Sequence, residues 1–206
     1  MMLSKRILTG LAAAATSGAL VLATPGMAQA ATFERGNADS DRVVNDADGD
    51  AEARARATDG GRLNIRGEAK GGSTEVPLGG ADPETVARAT ASVRKSVAVA
   101  DGTYRVTVRY SGAQGTDSDR RDGDARANLL STVRFGDETL RNTRNLDNTA
   151  SREVSRFVID IPEGSSGRLI INAALRGSAV APTEGDYGRF NGSVKDVQFI
   201  VNRLRD

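Results

Sequence analysis

Apolar residues stand at every second position through several stretches of this chain, and a period of two restricts those stretches to β-structure. From Ala51 to Ala57 four alanines alternate with Glu52, Arg54 and Arg56. That is the pattern of a strand with one face against a close neighbour and the other in water. Asp59-Gly60-Gly61 follows, and Leu63 and Ile65 resume the alternation. This predicts a hairpin, because glycine takes the positive φ of a tight turn at little cost. A longer run comes later: Val93, Val97 and Val99 share a face, Asp101-Gly102 supplies a two-residue turn, and Tyr104, Val106, Val108 and Tyr110 continue on a returning strand. Tyr104 and Tyr110 share the valines' face, which makes them core residues.

Further strands are predicted at 125–135, 153–161, 168–175 and 193–203, punctuated by Pro162-Glu163-Gly164 and Asn191-Gly192. Residues 70–83, with four glycines and two prolines, read as a surface loop, and residues 111–124 as a long polar loop with four aspartates. Only 84–95 offers apolar residues at a weakly helical spacing. Many short alternating strands separated by turns predict an all-β fold, a two-sheet antiparallel β-sandwich or jelly roll.

The first thirty residues have a different character. Lys5 and Arg6 precede an apolar run from Ile7 to Leu22, Pro25-Gly26 breaks it, and Ala28-Gln29-Ala30 supplies the small-x-small pattern of a cleavage site. This order predicts a secretory signal peptide over residues 1–30 and a secreted, extracellular protein. No further apolar run reaches the ~20 residues of a spanning helix, so no membrane span is expected. Residues 31–47 read as an extended, partly mobile leader, and 48–206 as a single β-sandwich domain.

Composition closes several routes to function. The chain has no His and no Cys, which removes Ser-His-Asp hydrolysis, thiolate chemistry, and His- or Cys-ligated zinc. It also means that packing alone must stabilise the domain, with no disulfides. Without Lys5 and Arg6, 26 basic residues face 27 acidic ones. The arginines are scattered along the sequence, so no global basic field attracts nucleic acid.

Asp101-Gly102-Thr103-Tyr104-Arg105-Val106-Thr107-Val108-Arg109-Tyr110 resembles the signature strand of jelly-roll, galactose-binding-like carbohydrate-binding modules. Gly192-Ser193-Val194-Lys195-Asp196-Val197-Gln198-Phe199-Ile200-Val201 is similar to their final strand. The resemblance spans about twenty residues and implies a β-sandwich, often with a structural calcium, that binds glycans through its loops or one sheet face. Such modules grip sugars with exposed aromatics, whereas this chain has no Trp and three Tyr.

Two groups of residues carry candidate chemistry. Tyr187, in a Gly-rich segment, is free to stack on a sugar. Glu184, Asp186 and Arg189 beside it offer carboxylates and a guanidinium for ligand binding, or the paired acids a glycosidase requires. Asp117, Asp119, Asp122 and Asp124 form a candidate calcium loop, and Asp46, Asp48, Asp50 and Glu52 form a second cluster. Calcium takes six to eight oxygens, and alternate carboxylates on a tight loop supply several. Neither cluster has EF-hand spacing, and Asp and Gly also serve as ordinary turn residues. Asn191-Gly192-Ser193 matches a glycosylation sequon but reads first as a turn. The leading expectation is a secreted non-catalytic binding module for an extracellular glycan. The alternatives are a structural or adhesive surface protein recognising another protein, and a small polysaccharide hydrolase or lyase.

Overall fold

Nine strands and no helix form the residues described by the computed structural model, which are 34–44, 49–72 and 85–204. The predicted signal peptide, most of the 70–83 loop, Asp46 and Asp48 lie outside them. In chain order the strands are β1 Glu34–Val44, β2 Asp50–Ala57, β3 Leu63–Lys70, β4 Thr85–Arg120, β5 Asp124–Phe135, β6 Glu138–Asn145, β7 Ser151–Ala181, β8 Tyr187–Val194 and β9 Asp196–Arg203. The β2–β3 hairpin forms as its alternation predicts, with Gly61 at φ 78° and paired bonds between Thr58 and Arg62 and between Gly61 and Thr58.

Two strands are far longer than expected, because sites read as turns are breaks within strands. β4 and β7 pair antiparallel throughout, 85–100 against 166–181 and then 102–113 against 151–161. Asp101 on one strand and residues 162–165 on the other interrupt the ladder between those halves. The predicted Asp101-Gly102 hairpin is therefore a bulge, and Gly102 has the positive φ of 117° that it needs. A bulge shifts the side-chain phase by one. Val93 and Val99, at odd positions, and Tyr104, Val106, Val108 and Tyr110, at even ones, consequently all face inward. A second shift at Gly112, φ 59°, returns the odd residue Ala113 to the core. The turn signals were real, but what they encode is a change of face.

At the first break the β4–β7 ribbon folds back on itself. The Tyr110 hydroxyl meets the Leu130 carbonyl at 3.2 Å and the Ser131 hydroxyl at 2.8 Å, and Ser131 bonds Ser155 at 3.0 Å. Burial of Tyr110 pushes its phenol pKa well above the ordinary value. One layer holds β1, the first half of β4, the second half of β7, β5 and β6. The other holds the first half of β7, the second half of β4, β8 with β9, β3 and β2. This is an antiparallel β-sandwich of the expected class.

Further departures follow from pairing that polar sequence does not reveal. Residues 34–44, within the segment read as an extended, partly mobile leader, pair with 85–94 of β4 as an edge strand. β6, with the sequence ETLRNTRN, has no apolar alternation because it is the opposite edge. Residues 84–95, the weak helical candidate, are strand from Thr85 onward. Asn191-Gly192 is not a turn but mid-strand in β8, where Gly192 leaves room for Ile65 and Leu175. Between the layers the fully buried Phe190 ring fills space above Gly67 and Gly177, and a Cβ at either would overlap it.

Candidate functional site

β2, β3, β8 and the tail of β4 present one polar face to solvent, and their registers align its side chains in rows. The first row runs Asp50, Lys70, Tyr187, Arg120, and the second Glu52, Glu68, Arg189, Ser118. The third is Arg54, Arg66, Asn191, Thr116. Small residues on the inward side (Ala51, Ala69, Gly67, Gly188) let this layer lie close to the core, and the outward side chains share one platform. A shallow depression of about 220 Å³ lies in it, lined by Asp50, Glu52, Arg66, Glu68 and Lys70.

Glu68 and Lys70, two apart on β3, pair at 2.8 Å. The hydrogen bond from Lys70 holds the Glu68 carboxyl below its ordinary pKa, assisted by the Lys70 charge, the Tyr187 hydroxyl and the Arg189 guanidinium, against a smaller opposing effect of burial. Glu68 in turn raises the Lys70 pKa. Tyr187 is half-buried at the edge of this pair, and Arg189 beside it is exposed. Together these groups offer a ring face, a fixed carboxylate and several N–H donors, the equipment for hydrogen-bonding a hydroxyl-rich ligand.

The four residues predicted to bind ligand separate into two pairs. Tyr187 and Arg189 are on the platform. Glu184 is exposed in the turn before β8, where its carbonyl accepts from Arg121 Nη1 at 3.0 Å. Asp186 is turned inward and only 3% exposed. Its carboxylate accepts from the Thr183 hydroxyl at 2.6 Å, the Thr183 N–H at 2.8 Å and the Asp122 N–H at 3.2 Å. The Thr183 hydroxyl, foremost, keeps its pKa below the ordinary value, with the two backbone N–H groups adding to the effect. With Gly71 N–H bonded to its carbonyl at 3.1 Å, Asp186 ties together the ends of β3, β4 and β8. It supports the platform instead of belonging to it.

The aspartate run 117–124 is no loop. β4 continues to Arg120, its 114–120 segment paired with β8, and only 121–123 turn. Strand alternation puts Asp117 and Asp119 on the side away from Ser118 and Arg120. The Asp122 backbone is held by Asp186, and Asp124 pairs with Arg126 at 2.8 Å. Among the described residues no group of three or more acidic side chains converges as ligands of a cation would.

Sequence reasoning missed Asp50, Glu52, Arg66, Glu68 and Lys70 as neighbours of Tyr187. Their signal was the polar half of the β2 and β3 alternation, whose partner strand is over a hundred residues away.

No family model and no curated protein matches the chain. Among solved structures it is similar, remotely, to TmCBM61 in complex with β-1,4-galactotriose. Identity is 12% and the TM-score 0.32 over 78% of this chain and 92% of that one. A CBM4 structure is 14% identical, with a TM-score of 0.29 over 57% of this chain and 71% of that one. The enzymatically active domain of bacteriophage CBA120 tailspike protein 4 is 10% identical, with a TM-score of 0.30 over 77% of this chain and 20% of that one. The first two are modules of the kind that residues 101–110 and 192–201 resemble. At such remote likeness, the reading of the platform rests on its own residues.

Proposed function

We propose that this chain is a non-catalytic β-sandwich module that holds a glycan outside the cytoplasmic membrane on the platform of β2, β3, β8 and the β4 tail. The observation that carries the reading is the convergence of Tyr187, Arg189, Glu68 and Lys70 beside an open depression. Sugar rings are recognised by planar polar side chains that saturate their hydroxyls and by an aromatic face beneath the ring. An open strand surface suits a polymer better than a closed pocket does. The site's carboxyls argue against catalysis. Glu68 is held below its ordinary value, the wrong direction for the general acid of a glycosidase, and Asp186 is occupied in bracing the strand ends. The absence of His and Cys in the chain supports the same view. The signal-like first thirty residues support an exported protein.

The test is affinity electrophoresis of the purified protein through gels containing a panel of polysaccharides, with a parallel assay for released reducing ends and unsaturated sugars. Retardation by at least one polysaccharide, lost in Tyr187→Ala and without product, is the expected result. Product release overturns the non-catalytic assignment, and capture of only a protein partner from the cell surface replaces the glycan with an adhesive role.

A further inference from the structure

We infer that the glycan held by this platform is acidic, with a uronate carboxylate received by Arg54, Arg66 and Arg189, an inference that rests on the reading of the platform as a glycan site. The whole chain is close to neutral, with 28 basic and 27 acidic residues. The platform is not. Its strand positions carry six cations, Arg54, Arg56, Arg66, Lys70, Arg120 and Arg189, against three anions, Asp50, Glu52 and Glu68. Arginines scattered over more than a hundred residues of sequence are gathered on one surface by strand pairing.

The register sharpens the point. Arg54 stands directly opposite Arg66, and Glu52 directly opposite Glu68. Like charges facing each other across an antiparallel ladder destabilise it. An arrangement that served folding alone would set opposite charges across the ladder. Lys70 has its partner in Glu68, but Arg54 approaches Glu52 only at 3.9 Å with its side chain 81% exposed. Among the described residues neither Arg66 nor Arg189 forms an ion pair. Arg66 pairs across with Asn191, two positions from Arg189 on β8, so the two lie diagonally, within reach of long side chains. Guanidinium groups meet a carboxylate through parallel N–H bonds, a geometry that ammonium groups do not match. A neutral glycan would leave the facing arginines uncompensated. A densely sulfated polymer would press its charge against Glu52, Glu68 and Asp50. A polyuronate, with one carboxylate per sugar, satisfies both conditions, and the amide of Asn191 is placed to take ring hydroxyls.

The experiment measures binding of the purified full chain to polygalacturonate, neutral galactan and dextran sulfate at low and high salt, for the parent protein and for Arg54→Gln/Arg66→Gln. Both positions are exposed, so the melting temperature of the variant checks that folding is intact. Polygalacturonate is expected to bind at least about tenfold tighter than neutral galactan at low salt, with the preference lost at high salt and in the double variant. Equal affinity for galactan and polygalacturonate, unchanged by the substitutions, overturns the acidic assignment and leaves the platform reading standing. Tighter binding of dextran sulfate, lost in the variant, overturns the carboxylate assignment. Failure of every polysaccharide, neutral ones included, removes the platform reading itself.

Discussion

Replacing Asp186 with Ala removes three hydrogen bonds to one ionised acceptor, from the Thr183 hydroxyl, the Thr183 N–H and the Asp122 N–H. Bonds to charged groups contribute roughly 1.5–3 kcal/mol each, but bonds sharing an acceptor are not additive and the loop donors are part-buried, so water replaces some of the loss. About 2–4 kcal/mol of destabilisation is expected, a large share of the roughly 5–15 kcal/mol of a typical domain. Asp186→Asn keeps one carbonyl acceptor and should cost about half as much. The dependence on pH has a definite sign. The folded carboxyl titrates below its ordinary value of 3.8. Its contribution is therefore complete above the unfolded pKa and lost as pH falls through the lower folded one. Urea unfolding of the parent and Asp186→Asn should show a gap at pH 7 that persists to about pH 5 and narrows below about pH 4. A gap under about 0.5 kcal/mol at pH 7, or one that does not change with pH, would refute the bracing role and return Asp186 to the list of ligand-binding candidates.

Gly177→Ala should cost about 1–3 kcal/mol, because its Cβ overlaps the Phe190 ring. Denaturant curves of Gly177→Ala in a Phe190→Leu background should show much of that cost relieved, the coupling expected of a shared space. Gly102→Ala meets both a positive φ and the Arg203 side chain, and is expected to lose about 1–3 kcal/mol by thermal unfolding. Millimolar calcium against EDTA should leave the melting temperature unchanged, since the carboxylates of residues 117–124 are divided between the two sides of a strand and a turn. A calcium-dependent rise that Asp119→Ala and Asp122→Ala abolish would show that a site forms there.

The alternation of residues 51–57, 63–70 and 104–110 carried the fold class, because one buried face per strand forces that pattern whatever the topology. The core assignment of Tyr104 and Tyr110 follows from the same rule, and both are buried. Topology was less legible. Asp101-Gly102 and Pro162-Glu163-Gly164 have the composition of turns, and positive φ serves a bulge as well as a hairpin. Only the partner strand decides which forms, and here the two breaks lie opposite each other. The polar segments 34–44, 114–120 and 138–145 do not show as paired strands, because edge strands, and strands whose outward face meets water, need few apolar residues. Of the candidate site, Tyr187 and Arg189 could be read from the sequence, but their neighbours on β2 and β3 could not. The bracing bonds of Asp186 are not legible, because a carboxylate in a Gly-rich turn has the same sequence whether it faces solvent or caps the backbone of a distant turn.

The central claim is that the outer face of β2, β3, β8 and the β4 tail is where a glycan binds. Backbone amide chemical shifts of the protein, recorded as a bound oligosaccharide from the retarding polysaccharide is added, test this most directly. The account predicts changes concentrated at residues 50–56, 64–70 and 187–193, with the opposite layer at 168–178 unmoved. Shifts confined to that opposite layer, or to the loops at the sandwich ends, would contradict it.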